Sequence, residues 1–372
     1  MEVNYGGSAP FTLGVEEELQ LLNGETFELA SRYQEVFGEA AIADERIKPE
    51  LLQSTVEVAT RPARTVAGAI AEAGELRRRA RDEAETRGFL VASAGTHPFS
   101  RYEHQDVTEK ARYAELVEAL QWAVERQLIF GLHVHVGLET AQQAIAVGNG
   151  LRTWLPEFLA ASANSPFWHG RETGLASTRS KVFDVMPRSG LPPAFASFEE
   201  FELVVDRGVR TGSFSDYTFI WWDLRPHPRL GTIELRVCDA QTRLESVAAL
   251  VALAQSLVAT LAERHERSGA LEIQPVTLIG ENKWRAARYG LDADLVDLER
   301  DEERPAREAL RELAELAGAA ARRLGCADEL ALLDDLLERG DGAGEQRATR
   351  DAADQSLLGV AQWLTAQTTE GM

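Results

Sequence analysis

Three stretches of this chain alternate apolar and polar residues with a period of two, the pattern of strands that rest one face on a core. In FTLGVEEELQLL, Leu13, Val15, Leu19 and Leu21 share one parity, and Gly14, Glu16, Glu18 and Gln20 share the other. In FGLHVHVGL, Leu132, Val134, Val136 and Leu138 oppose Gly131, His133, His135 and Gly137. In GTIELRVCD, Ile233, Leu235 and Val237 oppose Thr232, Glu234, Arg236 and Cys238. Glu17 is the misfit. It falls among the apolar residues of its strand, where it needs a buried arginine or a strand irregularity.

The remaining pattern fills in the frame. Strand-like runs cover residues 11–22, 51–60, 89–94, 128–138, 217–224 and 232–237, six in all. Helical periodicity covers 65–87, 109–126, 140–163, 198–206, 243–266, 281–289, 306–324, 327–338 and 348–368, with a loop-rich segment over 164–193 and a loop at 339–344. No strand is expected after residue 237. The irregular spacing and polar alternation predict an α+β fold, a mainly antiparallel sheet with one open face and helices on the other. No linker divides the chain, so residues 1–372 are expected to form a single catalytic domain, with a helical portion over 292–372 packed on it.

Composition narrows the classes. The 372 residues are 44% hydrophobic and 27% charged, ordinary globular values. A formal charge of -21 opposes binding to nucleic-acid phosphates and anionic membranes, so neither is an expected partner. Only Cys238 and Cys326 occur, far apart, which suits a reducing cytoplasm and not a disulfide framework. The start, MEVNYGGSAPF, lacks a basic segment followed by an apolar one. The apolar run 247–261 carries Gln255, Ser256 and Thr260 and reads as a buried helix.

The polar faces carry the chemistry. Glu-x-Glu, His-x-His and Glu-x-Arg place carboxylates, imidazoles and a cation on faces that mere solvation would line with Lys, Thr and Ser. Converging carboxylates repel one another, and a divalent cation relieves that; an oxygen-rich set selects Mg2+ or Mn2+. KPELLQSTVEVATRP adds Glu57 by periodicity, whereas Glu50, seven residues earlier, needs a bulge or bend to join it. Carboxylate-held Mg2+ usually serves phosphates, yet neither a P-loop nor a Rossmann glycine motif is present. A nucleotide must then be held by metals and basic residues, with Arg171, Arg179, Lys181, Arg188, Arg236, Lys283, Arg285 and Arg288 as candidates. Cys238 shares the parity of Arg236 but reads as an inert thiol.

Together GVEEELQL, KPELLQSTVEVATRP, SAGTHPF, GLHVHVG, HGRETGLASTRSKVFDVMPRSG, GTIELRVCDAQT and ENKWRAARYGLDA, in that order, resemble the bacterial carboxylate-amine ligase branch of the glutamate-cysteine ligase superfamily. The resemblance implies a glutamine-synthetase-like fold. It also implies an ATP-dependent reaction in which a carboxylate is phosphorylated and an amine displaces the phosphate, with L-glutamate and L-cysteine as default amino-acid substrates. By resemblance, Glu16, Glu18, Glu50, Glu57, His133 and Glu234 stand at metal positions. Glu234 and Arg236 would be catalytic, Arg236 touching the transferred phosphoryl group or the amino-acid substrate, with Lys283, Arg285 and Arg288 on ATP. Thr96, His97, His135, Arg171 and Arg179 would meet the amino-acid substrates. Two other readings compete: a zinc-dependent hydrolase built on His-x-His, which wants further strand-borne histidines, and a non-catalytic acidic binding module. The subunit count is left open, a homo-oligomer included.

Overall fold

The three alternating stretches lie side by side in one sheet, described by a computed structural model for residues 1–269 and 271–370, the side chains of residues 39–43 excepted. Its strands are β1 (Leu13–Asn23), β2 (Ile47–Pro49), β3 (Thr55–Ala59), β4 (Phe89–Ala92), β5 (Gly131–Gly137), β6 (Leu224–His227) and β7 (Thr232–Asp239). The order is β6-β7-β5-β1-β3-β2, with β4 on the far half of β1, and every pairing is antiparallel. The fold is the glutamine-synthetase-like α+β arrangement that the residue pattern and the resemblance led us to expect.

One face of the sheet is oil. Leu13, Val15, Leu132, Val134, Val136, Ile233, Leu235 and Val237 pack with the helices Val66–Glu85, Ala141–Leu151, Leu155–Ser162 and Leu244–Ser268 in a single core cluster. Leu244–Ser268 is apolar around most of its circumference and is long and apolar enough to cross a membrane by length and composition. It is instead buried inside the protein, between the sheet-packed helices and the helices Ala306–Leu324 and Ala327–Arg339. Its end is set by Gly269, whose left-handed backbone (φ 74°) returns an N–H to the His265 carbonyl. The start of Val66–Glu85 is set by Thr65, whose hydroxyl accepts from Gly68 N–H at 3.2 Å.

Glu17 finds the buried arginine its parity required. Its carboxylate pairs with the Arg77 guanidinium (Nε to Oε2, 3.1 Å), and both side chains are essentially fully buried. Arg77 also donates to the carbonyls of Gln241 and Thr242 at 2.7 and 2.9 Å. One guanidinium therefore ties β1, its own helix and the exit from β7 together.

Several expectations are corrected. The sheet has seven strands and not six, because β2 is only three residues long and ends in Pro49, too short for a periodic signal. Residues 217–224 are not one strand. Tyr217–Phe219 is a 3-10 turn, Trp221–Trp222 pairs with Ser189–Gly190 outside the main sheet, and β6 continues through Pro226, which an edge strand tolerates. The tail does add strands, the hairpin Asp294–Asp297 with Glu302–Pro305. The 109–126 helix breaks at Gln121, with φ 47°, and the 140–163 helix breaks ahead of Pro156. A helix over Tyr33–Ala43 had no anticipated counterpart, and Gly342–Ala352 begins a helix inside the expected 339–344 loop.

Replacing Glu17 with Leu strands a buried guanidinium, so unfolding free energy by urea titration should fall by about 3–5 kcal/mol. The Glu17→Leu/Arg77→Met double variant should recover part of this, and equal losses for both would refute the pairing. Glu157, buried on Leu155–Ser162 with Oε2 unpartnered among the described residues, has its carboxyl pushed up by burial to about 7. Because the folded state holds that proton longer than the unfolded chain, stability falls as pH rises from about 4.5 to about 7, by up to about 3 kcal/mol. Glu157→Gln should remove this part of the pH dependence of thermal unfolding.

Candidate active site

Register decides which polar residues meet. Across β5 and β1, His133 pairs with Glu16 and His135 with Gly14; across β7 and β5, Glu234 pairs with His135; across β1 and β3, Glu18 pairs with Glu57. Side chains of directly opposed residues stand on the same face, so these six polar groups form rows on the face away from the core. β6 extends the first row with Arg225 opposite Glu234, and β2 extends the last with Lys48 opposite Glu57. All but Lys48 line a cavity of about 300 Å³, roofed by Arg112, Tyr113, Leu116, Phe183, Met186, Thr218 and Trp221.

One end of the cavity is cationic. Glu234 Oε2 accepts from Arg225 Nε at 2.8 Å and Oε1 from Arg236 Nη1 at 2.5 Å. Burial pushes the Glu234 carboxyl up, but Arg225, Arg236 and His135 outweigh it and hold the group well below the usual carboxylate range. Arg179 reaches in from the Thr178–Phe183 helix and donates to the Arg236 carbonyl at 3.2 Å. Gly131 leaves the space for it, since a Cβ there would collide with the guanidinium. The Nε atoms of Arg179 and Arg236 have no partner among the described residues.

The other end is anionic. Glu18 accepts the Gly131 N–H at 2.5 Å, and Glu50 and Glu57 stand beside it. Burial raises the Glu57 carboxyl well above its ordinary value, with Glu16 and Glu50 adding to it; burial and Glu18 raise Glu50. Lys48, half-exposed, lies 3.3 Å from Glu57. Glu50 joins this end through a bend in the chain, one of the two routes its spacing from Glu57 required. It sits in the turn between β2 and β3 and so approaches from the strand connection.

Between the ends, Glu16 Oε2 is 3.4 Å from His133 Nδ1 and Oε1 is 3.6 Å from His135 Nε2, at or beyond the limit of hydrogen bonding. Ligand atoms of Glu16, His133 and Glu234 lie within 4.8 Å of one another. Oxygen and nitrogen ligands of Mg2+ or Mn2+ on opposite sides of the ion stand about 4.2 Å apart, twice a bond length. The Nε2 atoms of His133 and His135 are buried and lack hydrogen-bond partners among the described residues. Unpartnered imidazole nitrogens, mutually repelling carboxylates and an oxygen-rich donor set together fit a hard divalent cation.

Of the candidates read from sequence, Glu16, Glu18, Glu50, Glu57, His133, His135, Arg179, Glu234 and Arg236 line the cavity; the others do not. Thr96 donates to the Phe167 carbonyl at 2.7 Å. His97 bonds the Phe27 carbonyl at 2.9 Å and accepts the Ser100 N–H, and burial lowers its pKa to about 3. Both are held inside the structure as scaffold. Arg171 is exposed; Lys283 pairs with Asp223 at 2.8 Å; Arg285 pairs with Glu281 and Glu303; Arg288 donates to the Gly174 carbonyl. Cys238 is in the core, because a register irregularity between Leu235 and Cys238 reverses its parity.

Arg225 and His227 were missed. They alternate with Leu224 and Pro226 and would have been legible as a strand had Pro226 been read as an edge residue. His227 lies on β6 and not in a loop; its Nδ1 faces the Tyr217 hydroxyl at 3.4 Å and burial lowers its pKa to about 4. A zinc set also wants an aspartate, but Asp239 is engaged by Ser165, Ser177 and the Asn164 N–H.

Comparison with known proteins follows the geometry. A family model described as glutamate-cysteine ligase family 2 matches residues 12–367. A protein of Rubrobacter xylanophilus named "Putative glutamate--cysteine ligase 2-3" is 44% identical over 370 residues, covering 99% of this chain and 100% of that protein. A protein of Herpetosiphon aurantiacus named "Putative glutamate--cysteine ligase 2" is 38% identical over 364 residues, covering 98% and 94%. Among solved structures, glutamate-cysteine ligase from Francisella tularensis in complex with AMP aligns with a TM-score of 0.70 at 13% identity, over 98% of this chain and 90% of that one. The ligase PafA in complex with the ubiquitin-like protein Pup aligns with a TM-score of 0.54 at 12% identity, over 96% and 72%. At these identities the structures share a fold.

Calorimetric titration with Mn2+ is expected to show binding that Glu16→Gln and His133→Ala each weaken at least tenfold, about 1.4 kcal/mol or more. His97→Ala should leave it unchanged once folding is confirmed by circular dichroism. Unaltered Mn2+ affinity in both cavity variants would exclude the ion from this position.

Proposed function

The chain belongs to glutamate-cysteine ligase family 2 and is an ATP-dependent carboxylate-amine ligase, and from that premise we propose that it couples L-glutamate to L-cysteine. In this reading the γ-carboxylate takes the terminal phosphoryl group of ATP. The cysteine amine then attacks the acyl phosphate, releasing γ-glutamylcysteine, ADP and phosphate. The observation that carries the reading is the shared cavity in which Glu16, His133 and His135 stand between a cationic end at Arg225 and Arg236 and an anionic end at Glu18, Glu50 and Glu57.

The reaction brings two anions, a carboxylate and a polyphosphate, into one cavity. Arg236, Arg225 and Arg179 supply fixed positive charge there without needing to move, which is worth most where charge accumulates in the transition state. Arg236 is part-buried and oriented by Glu234, so its remaining donors, Nε among them, are pre-aimed. Glu16, His133 and Glu234 would hold Mg2+ on one side and Glu18, Glu50 and Glu57 on the other. When bound, the ion supplies charge neutralisation to the phosphate oxygens. Glu57 and Glu50, raised by burial and then by neighbouring carboxylates, are the groups whose ionisation such an ion favours. The roof residues Leu116, Phe183, Met186 and Trp221 keep water from an acyl phosphate, which water would otherwise hydrolyse.

An ADP-release assay over amino-acid pairs tests this. ADP should form with ATP, Mg2+, glutamate and cysteine together, and far less when either amino acid is omitted. Glu234→Gln and Arg236→Met should each lower turnover about 100-fold or more, with folding confirmed by circular dichroism. Exposed Glu245→Gln should have no effect. ADP formation with another pair and not with glutamate and cysteine would overturn the substrate assignment but leave the ligase chemistry standing.

A further inference from the structure

Arg152 is buried to 3% exposure on the far side of the sheet from the cavity. Its side chain forms no ion pair or hydrogen bond among the described residues, and its Nε is fully enclosed without a partner. A guanidinium stays charged, and burying one without an anion is costly, so a protein rarely leaves such a group unmatched. Among the described residues no carboxylate pairs with it, although acidic residues outnumber basic ones 60 to 39 in the sequence.

The side chain reaches two spaces. On the inside it lines a narrow apolar gap with Ile145 of the helix Ala141–Leu151 and with Leu224, Pro226 and Ile233 of β6 and β7. On the outside it lines a surface cleft of about 510 Å³ with Leu191, Pro193, Ala194, Ile273, Gln274 and Val276. At the cleft's rim begins the 14-residue helix Val276–Tyr289, whose N-cap Pro275 offers no side-chain acceptor to the first turn. The helix start adds partial positive charge to that of Arg152. Around both, the lining is almost wholly aliphatic, and Ile273 and Val276 are about half-exposed (51% and 48%) with nothing covering them among the described residues.

We propose that this cleft binds a small organic monocarboxylate with a compact aliphatic body, its carboxylate on Arg152 and its hydrocarbon against Leu191, Pro193, Ile273 and Val276. A planar carboxylate matches the guanidinium fork, and the aliphatic walls favour a hydrocarbon-bearing anion over a bare inorganic one. Burial also pushes the Arg152 pKa down, the direction expected of a cation awaiting a counter-ion.

The test is calorimetric titration of the full chain with 4-methylpentanoate, alongside its neutral amide and inorganic phosphate. The carboxylate should bind with one site per chain, the amide and phosphate at least tenfold more weakly. Arg152→Met should abolish the binding, and so should Ile273→Asp, a rim substitution at an exposed position that places a like charge beside the ligand without disturbing the core. Glu234→Gln, which alters the catalytic cavity, should leave it intact. Equal binding of acid and amide, equal binding of phosphate, loss in Glu234→Gln with retention in Arg152→Met, or no binding at all would each overturn the proposal.

Discussion

The antiparallel register of β7, β5 and β1 is the constraint on which the site rests. Because side chains alternate with a period of two, a slip of one residue between β5 and β1 would carry His133 and His135 into the helix-packed core and Leu132 and Val134 into the cavity. The apolar face prevents that slip, since its residues find a continuous core only in the observed register. Hydrophobic burial on one side of the sheet thus determines the distances between charged groups on the other.

Polarity along the cavity follows from the same pairing. Glu234, near Arg225 and Arg236, is held as a carboxylate, whereas Glu57, among Glu16 and Glu50, resists ionisation. Two carboxylates on one face of the sheet, separated by β5 and β1, are thus driven in opposite directions by what stands beside them. A cavity that is cationic at one end and anionic at the other orients phosphate and amine-bearing molecules by charge before any specific contact forms. The buried Glu17–Arg77 pair supports this frame from behind, because Arg77 also satisfies two carbonyls at the exit of β7.

Residues near the site in sequence divide into those that face the cavity and those that build its walls. Lys283 and Asp223 show the second kind: the ion pair lies beside β7, where the Asp223 carbonyl accepts the Arg236 N–H. His97 likewise spends both ring nitrogens on backbone groups. Such residues read as functional in a motif, yet their hydrogen bonds are already committed to the chain.

What the sequence determined by itself was local. The period of two assigned Glu16, Glu18, His133, Glu234 and Arg236 to polar faces and singled out Glu17 as needing a buried arginine, because strand geometry depends only on adjacent residues. The helices of the core were legible for the same reason. Tertiary structure alone decided the rest: that Glu50 arrives from a turn, that a bulge in β7 sends Cys238 inward, that Arg225 and His227 reach the cavity while Lys283, Arg285 and Arg288 do not. Those outcomes depend on strand partners and loop paths far apart in the chain, which the order of neighbouring residues does not encode.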